Sequence, residues 1–152
     1  MKIEIRKAVV EDLPILLEFE QGIIAYERPF DETLKPDPIN YYDIKEKIEL
    51  SDSEVIVATH EGMIVGSSYI SIRTANPYLD HTHFGYLGFM FVKPKYRGKG
   101  VNRMIIEALK NWAKDKGITE LRLDVYAEND SAIKAYEKVG FKPLTTLMRL
   151  RI

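Results

Sequence analysis

The segment Arg97-Gly98-Lys99-Gly100-Val101-Asn102 sets two glycines among basic residues, with Lys93 and Lys95 just before it and Arg103 just after. Such a turn suits an anion. Glycines let a ligand approach the main chain, unpaired N–H groups point outward where a helix begins, and the helix dipole favours negative charge there. It is not a Walker A loop, because Lys99 is followed by Gly100 and Val101, and a G-x-G-x-x-G reading fails at Arg103. Charge is also split along the chain. Residues 11–49 carry eleven acidic and four basic side chains, while residues 93–116 carry eight basic and two acidic. The split fits two solvated faces, or one pole for an anionic ligand and another for a cationic one. With no cysteine, disulfides, thiol nucleophiles and thiolate metal sites are excluded. Asp80, His81 and His83 make at best a weak metal site, and no metal is expected.

The turn needs a strand before it and a helix after it, and both are in the pattern. His83 to Val92 reads as the strand. Arg103 to Lys116 reads as the helix, with Met104, Ile105, Ala108, Leu109 and Trp112 inward and Gly117 at its end. Around this unit, Lys2–Arg6 alternates as a strand and about Asp12 to Ile24 as a helix. Pro29, Pro36 and Pro38 break the next stretch. Tyr42–Leu50 reads as a helix, and Glu54–Thr59 and Met63–Arg73 as strands joined at His60-Glu61-Gly62. Ile64 is expected to share a face with Gly66, Ser68, Ile70 and Ile72, and Val65 to lie opposite. Leu121–Tyr126 follows as a strand, then a short helix capped by Asn129 or Asp130, then a last strand over Thr145–Ile152.

This order predicts an α+β fold, a mixed α/β sandwich with one central, mostly antiparallel sheet flanked by helices. The length, 152 residues, suits a single domain over 1–152. Hydrophobic content of 45%, charged content of 30% and a net charge of −1 fit a soluble globular protein and give no reason to expect nucleic acid. No apolar run approaches the ~20 residues of a membrane span. The N-terminus lacks the apolar core of a signal peptide, so a cytoplasmic protein is expected.

Two motifs resemble the GCN5-related N-acetyltransferases, the GNAT superfamily. In its acyl-CoA loop a strand ending V-x-P leads to Gln or Arg, two variable residues, Gly, one variable residue, then Gly or Ala. Val92-Lys93-Pro94 and Arg97 to Asn102 match, except that Asn102 stands at the last place. The second motif, N-x-x-A-x-x-x-Y-E-(K/R)-x-G-F, is complete over Asn129 to Phe141. The resemblance implies a GNAT-like acyl-CoA N-acyltransferase fold with acetyl-CoA as co-substrate. Its pyrophosphate would lie on Arg97, Gly98, Lys99, Gly100, Val101 and Asn102. Its pantetheine would lie along the main chain of Met90, Phe91 and Val92 and near Asn129. Tyr136 takes the position of the general acid toward the departing thiolate. The strand Gly85–Met90 lacks the carboxylate many members use as base. Asp124, five residues before the motif asparagine, holds a position other members use, unless it simply pairs with Arg122.

The acceptor is expected to be a primary amine, on a small cationic molecule or a peptide. Glu20, Glu27 and Phe30, from the acidic N-terminal segment, would bind it, and Glu20, Glu27 and Asp31 rival Asp124 as base. A non-catalytic acyl-CoA-binding module is the alternative reading, and transfer of a longer acyl group a second. A homodimer through the C-terminal strand is left open.

Overall fold

Alternation of apolar residues makes the strands, and their order builds one sheet. The computed structural model describes residues 1–152. β1 (Glu4–Lys7), β2 (Ser53–His60), β3 (Met63–Thr74) and β4 (His83–Val92) pair antiparallel in chain order, and β5 (Leu121–Arg122) joins β4 in parallel. Both faces are covered. Ile56 and Ala58 of β2 face α3 (Val101–Asp115), while Val55 and Val57 face α1 (Leu13–Glu27) and α2 (Ile44–Glu49). The expected mixed sandwich is therefore what the chain forms.

α3 buries Val101, Ile105, Leu109 and Ala113, spaced one turn apart, together with Ile106. Each large aliphatic side chain enclosed this way stabilises the fold by about 1.5–3 kcal/mol. Met104, expected inward, is exposed. α4 (Asp130–Lys138) ends the regular structure.

Three further expectations need correction. Ile64 and Val65 exchange faces: Val65 packs under α3 and Ile64 packs opposite, because β3 bulges against β2 there. β5 stops at Arg122 rather than reaching Tyr126. The last strand is not formed: residues 142–152 pair with no strand, and Leu147, Met148, Leu150 and Ile152 stand 87–116% exposed. Arg149 instead reaches Asp31 and Thr33, both at 3.0 Å. No helix is long and apolar enough to cross a membrane.

Candidate active site

β4 is where the sheet opens. Its register against β3 shifts between Ser67 and Tyr69, and Phe89 has φ of 58°, a left-handed conformation uncommon outside glycine. Gly88 and Phe89 then lie on the same side. Gly88 packs on the Tyr69 ring, where a Cβ would come within 2.6 Å, and Phe89 is buried beside that ring and Tyr42. Ser68 donates to the Gly88 carbonyl at 2.8 Å, satisfying an acceptor the bulge removes from the ladder. The parallel pairing of β4 with β5 covers only Gly85–Leu121 and Tyr86–Arg122. Beyond the bulge, Met90, Phe91 and Val92 have no neighbour on that edge. An extended ligand could pair with such an edge as a strand would.

The loop after β4 is held from below. Tyr96 is buried, with its hydroxyl 2.9 Å from His60 Nδ1, and Arg97 Nε donates to the Val92 carbonyl at 2.8 Å. Gly98 and Gly100 have φ of 72° and 82°, and a Cβ on either would meet open space. Their absence of a side chain therefore serves the backbone turn rather than packing. No backbone N–H from Gly98 to Arg103 donates to a backbone carbonyl, and α3 has no side-chain cap. Six consecutive donors beside Lys95, Arg97, Lys99 and Arg103 fit a phosphorylated ligand. Asn102 is partly enclosed, and its Oδ1 is buried without a donor.

Asn129 joins this region to the acceptor-side segment. Its Oδ1 accepts from the Ala132 N–H at 3.4 Å, capping α4, and from Ser131 at 3.3 Å and Tyr26 at 3.4 Å. The Tyr26 contact ties the end of α1 to the start of α4. Phe30 stacks edge-on to Tyr26 and tilted against Tyr126, each with ring centroids 5.8 Å apart. The Tyr126 hydroxyl donates to Asp31 at 3.3 Å. Thr33 and Arg149 also hold Asp31 and pull its carboxyl well below the usual range.

Tyr136 lies partly enclosed on α4, edge-on to Phe141 at 5.9 Å. Burial, and then the charge of Glu27, push its phenol up to about 12. Glu27, the last residue of α1, is half-buried, and its own carboxyl is raised by desolvation. The Tyr41 hydroxyl, itself buried, lies beside it and draws that carboxyl back down against desolvation.

Two further predicted residues are already held by partners. Asp124 accepts from the Tyr86 hydroxyl at 2.6 Å, and the pairing with Arg122 is not made. Arg122 turns to Glu120 at 2.5 Å and to His81 at 3.1 Å. Glu20 is fully enclosed, and its Oε2 accepts the Tyr41 and Tyr42 N–H groups at 3.0 and 2.9 Å. A polar hollow of about 420 Å³, lined by Asp80, His81, His83 and Lys116, lies at the start of β4, the opposite end from Val92. Sequence reading missed Tyr126 and Tyr86. Tyr126 lies two residues beyond Asp124 in the stretch read as a strand, and that spacing could have marked it.

Comparison with known proteins agrees with this geometry. The Acetyltransferase (GNAT) family matches residues 21–141. Aminoglycoside N(6')-acetyltransferase type 1 of Salmonella typhimurium is 28% identical over 110 residues, 70% of this chain and 74% of that protein. Thialysine N-epsilon-acetyltransferase of Bos taurus is 42% identical over 60 residues, 40% of this chain but only 35% of that protein. The tetramutant BH1408 protein of Bacillus halodurans superposes with a TM-score of 0.87 at 22% identity, covering 98% of this chain and 99% of its own. That likeness concerns the fold. The family match spans the strand with the bulge, the glycine loop and the helix carrying Tyr136, and the chain belongs to the acetyltransferase (GNAT) family, enzymes that transfer acetyl groups from acetyl-CoA.

Proposed function

We propose that the protein moves an acetyl group from acetyl-CoA to a primary amine on a cationic acceptor, by direct attack of the amine on the thioester. The observation that supports this reading is the open β4 edge at Met90, Phe91 and Val92 leading into a loop of unpaired N–H groups, with the aromatic cluster of Tyr26, Phe30 and Tyr126 gathered at Asn129 and Asp31. That cluster gives the acceptor side an acidic, aromatic environment. Aromatic faces and a carboxylate favour an ammonium group. The unpaired edge at Met90, Phe91 and Val92 would take the pantetheine, with an N–H there polarising the thioester carbonyl. The loop from Arg97 to Asn102 would take the pyrophosphate. Asn129 uses its oxygen as a cap, which leaves its amide N–H groups for the ligand. Tyr136 would give its proton to the departing sulfur. The relatives that act on aminoglycosides and thialysine support an amine acceptor in general. A chain without cysteine is compatible with a cytoplasmic setting.

The test is thiol release from acetyl-CoA across a panel of diamines, polyamines, an aminoglycoside, a lysine peptide and neutral amines. Release that depends on a cationic acceptor is expected. Tight binding of acetyl-CoA with no release on any acceptor would overturn the reading in favour of a binding module.

Two smaller expectations follow from particular residues. Asn102→Ala removes a buried acceptor that has no donor, a group that costs about 1–3 kcal/mol when left unpaired. Scanning calorimetry should therefore show a higher Tm, with acetyl-CoA affinity unchanged within about twofold. A several-fold loss of affinity would mean that the Asn102 amide contacts the ligand. The exposed apolar tail, for its part, is read as a homodimer contact. Light scattering should then return about twice the 17.6 kDa chain mass, and a monomer at high concentration would remove that reading.

A further inference from the structure

We propose that His60 is a positioning residue for acetyl-CoA: through the Tyr96 hydroxyl it fixes the loop that takes the pyrophosphate. The inference rests on the reading of Arg97 to Asn102 as the coenzyme loop, and it assigns what that reading leaves open, the support that keeps a loop of unpaired N–H groups in shape.

The loop does not hold itself. No backbone N–H from Gly98 to Arg103 donates to a backbone carbonyl, and Gly98 and Gly100 turn at positive φ with open space where a Cβ would be. Its shape is therefore set from its two ends. Before it, the Lys93 N–H donates to the Val65 carbonyl at 2.8 Å, and Pro94–Tyr96 form one 3-10 turn in which the Tyr96 N–H donates to the Lys93 carbonyl at 2.8 Å. After it, the Met104 N–H donates to the Gly100 carbonyl at 3.1 Å and starts the α3 ladder. Among the side chains of this stretch, Arg97 bonds back to the Val92 carbonyl just before the turn, and Tyr96 alone bonds a side chain of another element, His60 at the end of β2.

His60 is a firm support. Its Nδ1 lies 2.9 Å from the Tyr96 hydroxyl, and the two rings meet edge-on with centroids 5.5 Å apart. If Nδ1 is bare the phenol donates to it, and if Nδ1 carries the proton the phenol accepts, so the contact holds in either tautomer. The backbone of His60 is fixed in turn. It pairs with Met63 across the two-residue turn Glu61-Gly62, whose φ values of 50° and 78° suit a tight hairpin.

Tyr96 passes this constraint to both sides of the glycines. It is buried in one cluster with Val101 and Ile105, the residues that seat the first turn of α3 on the sheet. Lys99, between the two glycines, holds its ammonium 5.9 Å from the centroid of the Tyr96 ring, within cation–π range. A Tyr96 ring free to tilt would therefore disturb the start of α3 and the cation of the loop together. Donors already in place spare the ligand the entropy of ordering them. A support beneath the loop can thus change affinity without touching the ligand.

The experiment titrates acetyl-CoA calorimetrically into wild type, His60→Ala, His60→Asn, Tyr96→Phe and the double variant of His60→Ala with Tyr96→Phe, at a temperature where thermal unfolding shows them folded. His60→Ala and Tyr96→Phe should each weaken acetyl-CoA binding about 5–10-fold, the effect of one neutral hydrogen bond. The double variant should bind within about twofold of the weaker single, because the two residues share one contact. His60→Asn, which sets an amide near the place of Nδ1, should return to within about threefold of wild type. In turnover, the KM of acetyl-CoA should rise by the same factor, while kcat at saturation and the KM of the acceptor stay within about twofold, since the pyrophosphate is not a reacting group. A merely structural contact would lower Tm without this split. Acetyl-CoA affinity within about twofold of wild type in both single variants overturns the inference, as do losses that multiply in the double variant or a His60→Asn as weak as His60→Ala. A wild type that does not bind acetyl-CoA overturns the reading of the loop, and this inference with it. Binding without acceptor-dependent thiol release overturns the acetyltransferase reading alone, because the affinities still decide whether His60 supports the loop.

Discussion

Tyr136→Phe should lower kcat about 10²–10⁴-fold while leaving acetyl-CoA affinity and Tm close to those of the wild type. The size follows from what the hydroxyl does. A departing thiolate needs a proton or a strong hydrogen bond; Tyr26 and Tyr126 are already committed to other partners, and the Tyr41 hydroxyl is sealed from solvent. The small effect on stability follows from packing. Phenylalanine keeps the ring that meets Phe141 edge-on at 5.9 Å, and it orphans no protein partner. The pH profile adds an independent check. Burial and Glu27 hold the phenol at about 12, so the acid form persists through the whole working range. An alkaline decline centred near the ordinary tyrosine value of about 10 would contradict this assignment. Thiol release at saturating acceptor is the measurement, and a kcat equal to wild type would take Tyr136 out of the mechanism.

The parts of this site that lie close in sequence were legible, and those made by packing were not. The loop after β4 announces itself because Gly98 and Gly100 stand where the backbone turns into positive φ. The cap on α4 is likewise local, since Asn129 reaches the Ala132 N–H three residues on. The bulge gave no such signal. Nothing in the alternation of His83–Val92 says that Phe89 adopts a positive φ, yet there the register against β3 shifts, beyond the point at Tyr86 where pairing with β5 has stopped. The bulge in β3 is equally silent and reverses Ile64 and Val65. Tyr26 and Asn129 are more than a hundred residues apart, and their contact exists only because the end of α1 comes to lie against the start of α4. For Asp124 the sequence offers a role as base or an ion pair with Arg122, its near neighbour. The actual partner, Tyr86, is thirty-eight residues away across the sheet. The final alternating segment has strand periodicity, but periodicity states which side chains share a face and says nothing about whether an edge is there to receive them.

Glu20→Ala should cost about 3 kcal/mol of stability or more, and should raise the KM of the acceptor without changing acetyl-CoA affinity. Glu20 is wholly enclosed, and its Oε2 receives the N–H groups of Tyr41 and Tyr42. Alanine leaves two backbone donors unsatisfied, at about 1–3 kcal/mol each when buried, and opens a cavity beside Leu16 and Ile24 on the same helix. For a chain of this length that corresponds to a fall in Tm of roughly 6–12 °C. Glu20→Gln keeps one oxygen acceptor, and its amide nitrogen can take the place of Oε1, which has no donor now. It should lose much less. The functional effect reaches the acceptor through Tyr41, whose side chain faces Glu27 while its backbone hangs from Glu20. Acetyl-CoA, on its proposed seat at the β4 edge and the glycine loop, is expected to be indifferent. Calorimetry of both variants, with acceptor and acetyl-CoA titrations at a temperature where both remain folded, separates the two effects. Equal Tm losses in Glu20→Ala and Glu20→Gln would mean that the two backbone bonds carry little. Lost acetyl-CoA affinity in a folded Glu20→Ala would mean that the acceptor segment and the coenzyme loop are coupled more tightly than their separate anchors imply.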